Sequence, residues 1–314
     1  MPGAIHFPDD LPKLAALLRA GEVVAFPTET VYGLGGDAGN SDAVLKIYET
    51  KGRPRFNPLI VHCADLAMAE TLVEFSPLAR MLARFWPGPL TLVLPRRVDA
   101  RLSDIVTAGL DTVGIRIPDH PLAQQLIRAA GVPLAGPSAN PSGRLSPTTA
   151  SQVDRGFHGE VPVLDGGPSR AGVESTILAV TGDTVTQLRA GALPRDEIEA
   201  AIGRRVAVAA EGGAIVAPGM LSSHYAPNAA LRLDAERPET GESYLAFGEP
   251  PRTATGEVLN LSPSADLREA ARNLFSMLHR LDEMSDSIAV APIPHTGLGE
   301  AINDRLRRAA APRP

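Results

Sequence analysis

Apolar residues near the start of the chain fall into two spacings, and the switch between them marks the elements. Leu14, Leu17 and Leu18 recur at the three- and four-residue interval of one helical face, in a stretch entered at Asp10 and Pro12 and closed near Gly21. Val23, Val24, Ala25 and Phe26 then run without a polar break, which predicts a buried strand. The same spacings predict helices over 41–49, 65–74, 77–85 and 121–130, the last ended by Gly131. Strands are predicted over 59–62, 90–94, 113–117 and 132–135, and a later cluster over 161–164, 176–180 and 184–188. Helices and strands mix without the strict alternation of a doubly wound fold, so an α/β sheet with mixed strand directions is expected.

After Val206 the pattern weakens. Residues 207–220 are rich in Ala and Gly, contain Pro218-Gly219 and hold no period, which predicts a linker. Beyond it, strands over 244–247 and 288–290 and helices over 266–281 and 298–308 predict a second, smaller α/β domain, with a frayed tail over 309–314. The chain shows no internal repeat.

Composition narrows the classes. A chain of 314 residues with 44% hydrophobic and 21% charged content can build a sizeable core, and its net charge of −6 argues against wrapping nucleic acid through bulk charge. Lys and Arg instead cluster in short loops such as Arg96-Arg97, which suits a small anion. No apolar run is long enough for a membrane span and no leader pattern opens the chain, so a cytoplasmic protein is expected. The single cysteine, Cys63, allows no intrachain disulfide and no CxxC zinc site, and reads as a buried inert thiol. His62, His120, His158 and His224 lack metal-ligand spacing, and no serine sits in GxSxG, so no metal residue is assigned.

Six segments carry candidate chemistry. Lys51-Gly52-Arg53-Pro54-Arg55-Phe56-Asn57-Pro58 packs three cations and an amide into a Gly/Pro-interrupted turn that enters the apolar run ending at His62, a turn suited to holding anions. Pro27-Thr28-Glu29-Thr30-Val31-Tyr32-Gly33-Leu34-Gly35-Gly36 follows a strand, so its backbone amides and hydroxyls either face a ligand or form a capped turn; it is neither a Walker loop nor GxGxxG. Arg116 lies inside an apolar strand and needs a partner, either a structural carboxylate or a ligand's carboxylate or phosphate gripped in fork geometry. Gly136-Pro137-Ser138-Ala139-Asn140-Pro141-Ser142-Gly143, continued by Ser146-Pro147-Thr148, offers small donors on a constrained loop or ordinary turn chemistry. Gly172-Val173-Glu174-Ser175-Thr176 and Leu188-Arg189-Ala190-Gly191 place polar residues at strand edges, in either a structural or a functional role.

Taken together, PTETVYGLG, KGRPRFNPLIVH, WPGPLTLVL, TAGLDTVGIRIP, GPSANPSG, GVESTI, LRAG and APGMLSSHYAP occur in one order that resembles the YrdC-like family of threonylcarbamoyl-AMP synthases, in its longer two-domain form. The resemblance implies a YrdC-like twisted mixed sheet around a concave basic cavity over 1–206, an interdomain linker or lid over 207–229, and a smaller Rossmann-like α/β domain over 230–314. It implies a nucleotidyltransferase that joins L-threonine, bicarbonate and ATP into threonylcarbamoyl-AMP and pyrophosphate for tRNA N6-threonylcarbamoyladenosine (t6A) biosynthesis. By resemblance Thr30, His62, Arg116 and Ser175 hold threonine, and Arg53, Asn57, Thr112, Ser138, Ser146, Arg189 and Tyr225 hold ATP; from its place beside them Lys51 is expected to offset phosphate charge, with Arg53, as the catalytic cations. Mg²⁺ is expected to arrive with ATP, with no organic cofactor, and tRNA or downstream t6A transferase proteins are possible partners.

Two departures from the family pattern stand out. Gly36 and Gly39 are expected to loosen the loop they share, and the segment after Pro227 looks short for the family's second domain. A related carbamoyltransferase of hydrogenase maturation would bring zinc cysteines and a further domain, which one cysteine and 314 residues exclude. An RNA-binding module is the non-enzymatic alternative, weakened by acidic charge and only 4% aromatic content.

Overall fold

The computed structural model describes residues 4–210, 225–250 and 256–312. Among these, the larger sheet contains β1 (Ile5–His6), β2 (Val24–Phe26), β3 (Gly33–Asp37), β4 (Ile60–His62), β5 (Leu90–Pro95), β6 (Thr112–Arg116), β7 (Leu134–Ala135), β8 (Val163–Leu164), β9 (Thr176–Thr181), β10 (Thr184–Arg189) and β11 (Ala207–Val208). Their spatial order is β1-β8-β2-β3-β7-β4-β6-β5-β9-β10-β11. Strand directions are mixed, as expected: β4 runs parallel to β6, whereas β5 is antiparallel to β6 and parallel to β9.

Strand β3 was not anticipated. Its sequence, Gly-Leu-Gly-Gly-Asp, has little β-propensity, and residues 35–39 were expected to form a loose loop. Packing decides otherwise: the Phe26 ring on β2 lies against the bare backbone of β3, and a Cβ on Gly35 would stand 2.8 Å from it. Glycine here permits close approach rather than looseness. The predicted helix over 65–74 is shortened to Leu66–Glu70, and that over 77–85 becomes Pro77–Leu82 followed by a 3₁₀ turn, Ala83–Phe85.

The helix Ser41–Lys51 sets the position of the basic turn. Asn40 caps it by accepting from the amides of Asp42 and Ala43, and Gly52, at φ +59°, ends it in the left-handed conformation that bends the chain into Arg53. On one side of the sheet the helices Leu11–Arg19 and Pro121–Ala130 pack through Leu14, Leu18, Leu126 and Ile127, each of which stabilises the fold by about 1.5–3 kcal/mol on burial.

The second sheet, β12 (Ala230–Arg232), β13 (Ser243–Ala246), β14 (Val258–Asn260) and β15 (Ser287–Val290), is parallel throughout in the order β12-β15-β13-β14. The helices Leu267–Asp282 and Leu298–Ala310 pack on it and on each other, which makes a small Rossmann-like layer. β12 and β14 escaped the sequence pattern because both are short and only partly buried. Ala207 and Val208, expected to begin the linker, instead pair with β10 as β11. Of the linker expected over 207–229, residues 211–224 lie outside the described residues. The two sheets share an apolar seam, in which Val31, Leu145, Val173 and Tyr225 join Leu274, Phe275, Ile302 and Leu306.

Candidate active site

The parallel register of β4 and β6 pairs His62 directly with Arg116 at the ends of the two strands. Ser175 immediately precedes β9 and Arg189 ends β10, so their antiparallel hairpin closes the two together. Arg189 Nε and Nη2 donate to the Ser175 carbonyl at 3.2 and 3.0 Å, and Nη2 also reaches the Ser175 hydroxyl at 3.2 Å. The β2–β3 connection supplies Thr28 and Thr30, whose hydroxyls lie 2.8 Å apart. With Arg53, Ser138 and Tyr225 these residues line one cleft. Its void is about 40 Å³, room for a few waters, whereas sites for drug-sized ligands run to about 300–1,000 Å³. A much larger groove, about 1,050 Å³ around Asp37, Met68, Arg97 and Arg101, contains none of the expected site residues.

Burial sets the charges. His62 is driven down to a pKa of about 3, first by loss of solvent and then by Arg116, so its ring is neutral at neutral pH, and its Nδ1 has no hydrogen-bond partner among the described residues. Arg53 falls to about 10 through burial and remains a cation at neutral pH. Burial alone would raise the Glu174 pKa, but the guanidiniums of Arg305 and Arg189 and the Ser146 hydroxyl outweigh it and hold the carboxyl at about 2.

Arg116 has a structural carboxylate partner. Its Nη2 stands 2.8 Å from Glu29 Oε2, with both side chains 5% exposed. The angle falls outside hydrogen-bond geometry, so the contact is an ion pair, and both Glu29 oxygens lack a hydrogen bond among the described residues. Nε faces the Gly88 carbonyl at 3.4 Å. Glu29 thus anchors Arg116 from behind while the guanidinium also lines the cleft.

Not every expected residue is on the lining. Lys51, expected to offset phosphate charge directly, is buried beneath the 138–140 loop, where its ammonium donates to the Ser138 carbonyl at 2.6 Å and to the Asn140 carbonyl. Burial, then Arg53, lowers its pKa well below the usual lysine value. Its position suits a support for Ser138 rather than a phosphate contact. Arg53 folds over its own turn, donating to the carbonyls of Asn57 and Pro58 at 3.4 and 3.1 Å. The Asn57 amide is fully buried, and neither its oxygen nor its nitrogen has a hydrogen-bond partner among the described residues. Thr112 begins β6, at the end of the strand opposite Arg116. Ser146 sits behind the wall and donates to Glu174 Oε1 at 2.5 Å.

Three participants carry no expected role: Glu29, Glu174 and Arg305. Glu29 and Glu174 each stand between buried neighbours, where a carboxylate needs a partner. Arg305 falls seven residues after Leu298 and four after Ala301, on the buried face of its helix, where an arginine needs a partner.

Comparison with known proteins decides the family. Residues 16–191 match the Sua5, YciO and YrdC family model, described as telomere recombination, and residues 193–311 match the C-terminal domain of threonylcarbamoyl-AMP synthase. The chain belongs to the threonylcarbamoyl-AMP synthase family, in its long two-domain form. A family member from Bacillus subtilis is 45% identical over 96% of this chain and 93% of its own. One from Pyrococcus abyssi is 43% identical over 94% of this chain and 92% of its own. The crystal structure of P. abyssi Sua5 complexed with L-threonine superposes with a TM-score of 0.88 at 40% identity, covering 96% of this chain and 94% of that one. The segment after Pro227 lies within the match to the C-terminal family domain.

Proposed function

We propose that the cleft makes threonylcarbamoyl-AMP from L-threonine, bicarbonate and ATP. The reading is carried by one arrangement: Arg116 and His62, paired in register, open onto the same small cleft as Arg53, Ser138 and Arg189. The Arg116 guanidinium suits a carboxylate, and those of Arg53 and Arg189 suit phosphates. Full-length similarity to family members supports the choice of substrates.

Threonine's carboxylate docks on Arg116, held in place by Glu29, while Thr30 and Ser175 offer hydroxyls to the remainder of the amino acid. His62 is neutral, so it orients the substrate without adding a second cation that would trap the carboxylate. The deprotonated amine takes up the carbon of bicarbonate, water leaves, and a carbamate forms. A carbamate oxygen then attacks the α-phosphorus of ATP, and the bond to the β-phosphate breaks, so that pyrophosphate departs with the electron pair. No protein nucleophile is needed; positioning and charge stabilisation by Arg53 and Arg189 lower the barrier. Ser138 completes the lining of the nucleotide half, with Lys51 holding its carbonyl, while Asn57 and Ser146 support that half from behind the lining and Thr112, at the far end of β6, stands away from it.

Mg²⁺ enters as part of the ATP substrate. Among the described residues no group of three His, Cys, Asp or Glu side chains could hold it, and Glu174, the carboxylate on the cleft, is already taken by Ser146 and Arg305. The catalytic unit extends through β11, and the C-terminal unit begins near β12. The product passes to a t6A transferase acting on tRNAs that read ANN codons, in the cytoplasm; no described helix is long and apolar enough to cross a membrane.

Pyrophosphate release measured with ATP, L-threonine and bicarbonate, leaving out each in turn, tests the reading. Release that requires all three supports it, and release indifferent to threonine rejects it.

A further inference from the structure

Arg305 belongs to the helix Leu298–Ala310 of the second sheet, yet its guanidinium is completely buried and touches three parts of the cleft wall. Nε donates to Glu174 Oε2 at 2.8 Å, and the other oxygen of that carboxylate accepts from Ser146 at 2.5 Å. Nη1 donates to the Ala190 carbonyl at 2.7 Å, one residue beyond Arg189, and to Asp304 at 2.8 Å. The charged centre stands 5.3 Å from the centroid of the Tyr225 ring, which also meets Phe275 of the same C-terminal segment at 5.6 Å. One planar fork therefore sets the carboxylate behind Ser146, the backbone beside Arg189 and the ring of Tyr225.

The other half of the cleft is held differently. Thr30 is bonded to Thr28, and Arg116 is held by Glu29 and Gly88, all from the larger sheet and its loops, although Ser175 of this half also accepts from Arg189. We infer that Arg305 is a positioning residue for the nucleotide half of the cleft, which makes the C-terminal segment a working part of that half. The inference rests on the proposed division of the cleft between ATP and threonine. A purely adhesive role fits poorly: buried ion pairs add little net stability compared with apolar packing, whereas a fork that spans a carboxylate and a carbonyl fixes their geometry. Lysine carries its donors on one nitrogen of a flexible stem and lacks the fixed spacing of the fork.

The test uses the full chain. Arg305→Lys keeps the charge and loses the fork; Arg305→Met with Glu174→Gln removes both charges, so that neither is left buried alone. ATP and L-threonine affinities are each measured by calorimetry in the absence of the other, alongside thermal melting. We expect both variants to fold and to bind ATP at least tenfold more weakly, while threonine affinity stays within twofold of the parent protein. Unchanged ATP affinity in a folded variant, or equal weakening of both ligands, overturns the inference. If the parent protein binds both ligands but forms no product, the proposed reaction falls, and the affinity comparison still decides the role of Arg305.

Discussion

Replacing Arg116 by lysine separates charge from geometry in the threonine half of the cleft. The guanidinium lies 2.8 Å from Glu29 and faces the Gly88 carbonyl at 3.4 Å, and its five donors leave N–H groups to spare for an incoming carboxylate. Lysine brings one nitrogen. With Glu29 buried and otherwise without hydrogen bonds among the described residues, that nitrogen settles on Glu29. The substrate then loses at least one charge-assisted hydrogen bond, about 1.5–3 kcal/mol. At about 1.4 kcal/mol per decade this is roughly a 10- to 150-fold fall in kcat/KM for threonine, carried by KM. The assay varies L-threonine at saturating ATP and bicarbonate while following pyrophosphate, then varies ATP at saturating threonine. A threonine kcat/KM within threefold of the parent, or an equal loss against ATP, refutes the assignment of Arg116 to the carboxylate.

Other perturbations probe the same account. His62 titrates near 3 in the fold against about 6.5 unfolded, so the unfolded chain binds the extra proton and stability falls as pH drops below about 6.5; His120 and His279 shift in the same direction. Melting temperature should therefore decline between neutrality and pH 5, and decline less in His62→Gln; identical slopes would count against a buried neutral His62. Gly35→Ala places a methyl 2.8 Å from the Phe26 ring and should destabilise by about 1–3 kcal/mol, with partial recovery on adding Phe26→Leu, as read by chemical denaturation. Lys51→Met removes the donor shared by the Ser138 and Asn140 carbonyls and should raise KM for ATP while sparing threonine affinity; a loss confined to kcat would return Lys51 to direct contact with the reacting phosphates.

Much of the site was legible because charged residues at the ends of apolar runs are conspicuous. Arg116 and His62 each end a strand of Val and Ile, and each needed a reason to be there. What the sequence does not carry is register: only the pairing of β4 with β6 places the two side by side. Lys51 shows the limit of reasoning from charge, since a lysine in a basic turn reads as a phosphate ligand until the fold turns its ammonium under a loop. β3 was hidden because its evidence lies in the Phe26 ring on another strand, not in its own glycines. Arg305 was hidden for a similar reason: its partners, Glu174 and Ala190, lie more than a hundred positions away. Local periodicity reports which face is buried, and tertiary contact decides what that face meets.

The central claim is that the carbon of bicarbonate joins threonine to the α-phosphate of ATP within this chain. Incubating the protein with ATP, L-threonine and isotopically labelled bicarbonate, followed by mass spectrometry of the quenched mixture, reads this directly. The account predicts a threonylcarbamoyl adenylate carrying the label, formed together with pyrophosphate. An adenylate of threonine without the label, or AMP and pyrophosphate formed equally well without threonine, would contradict it.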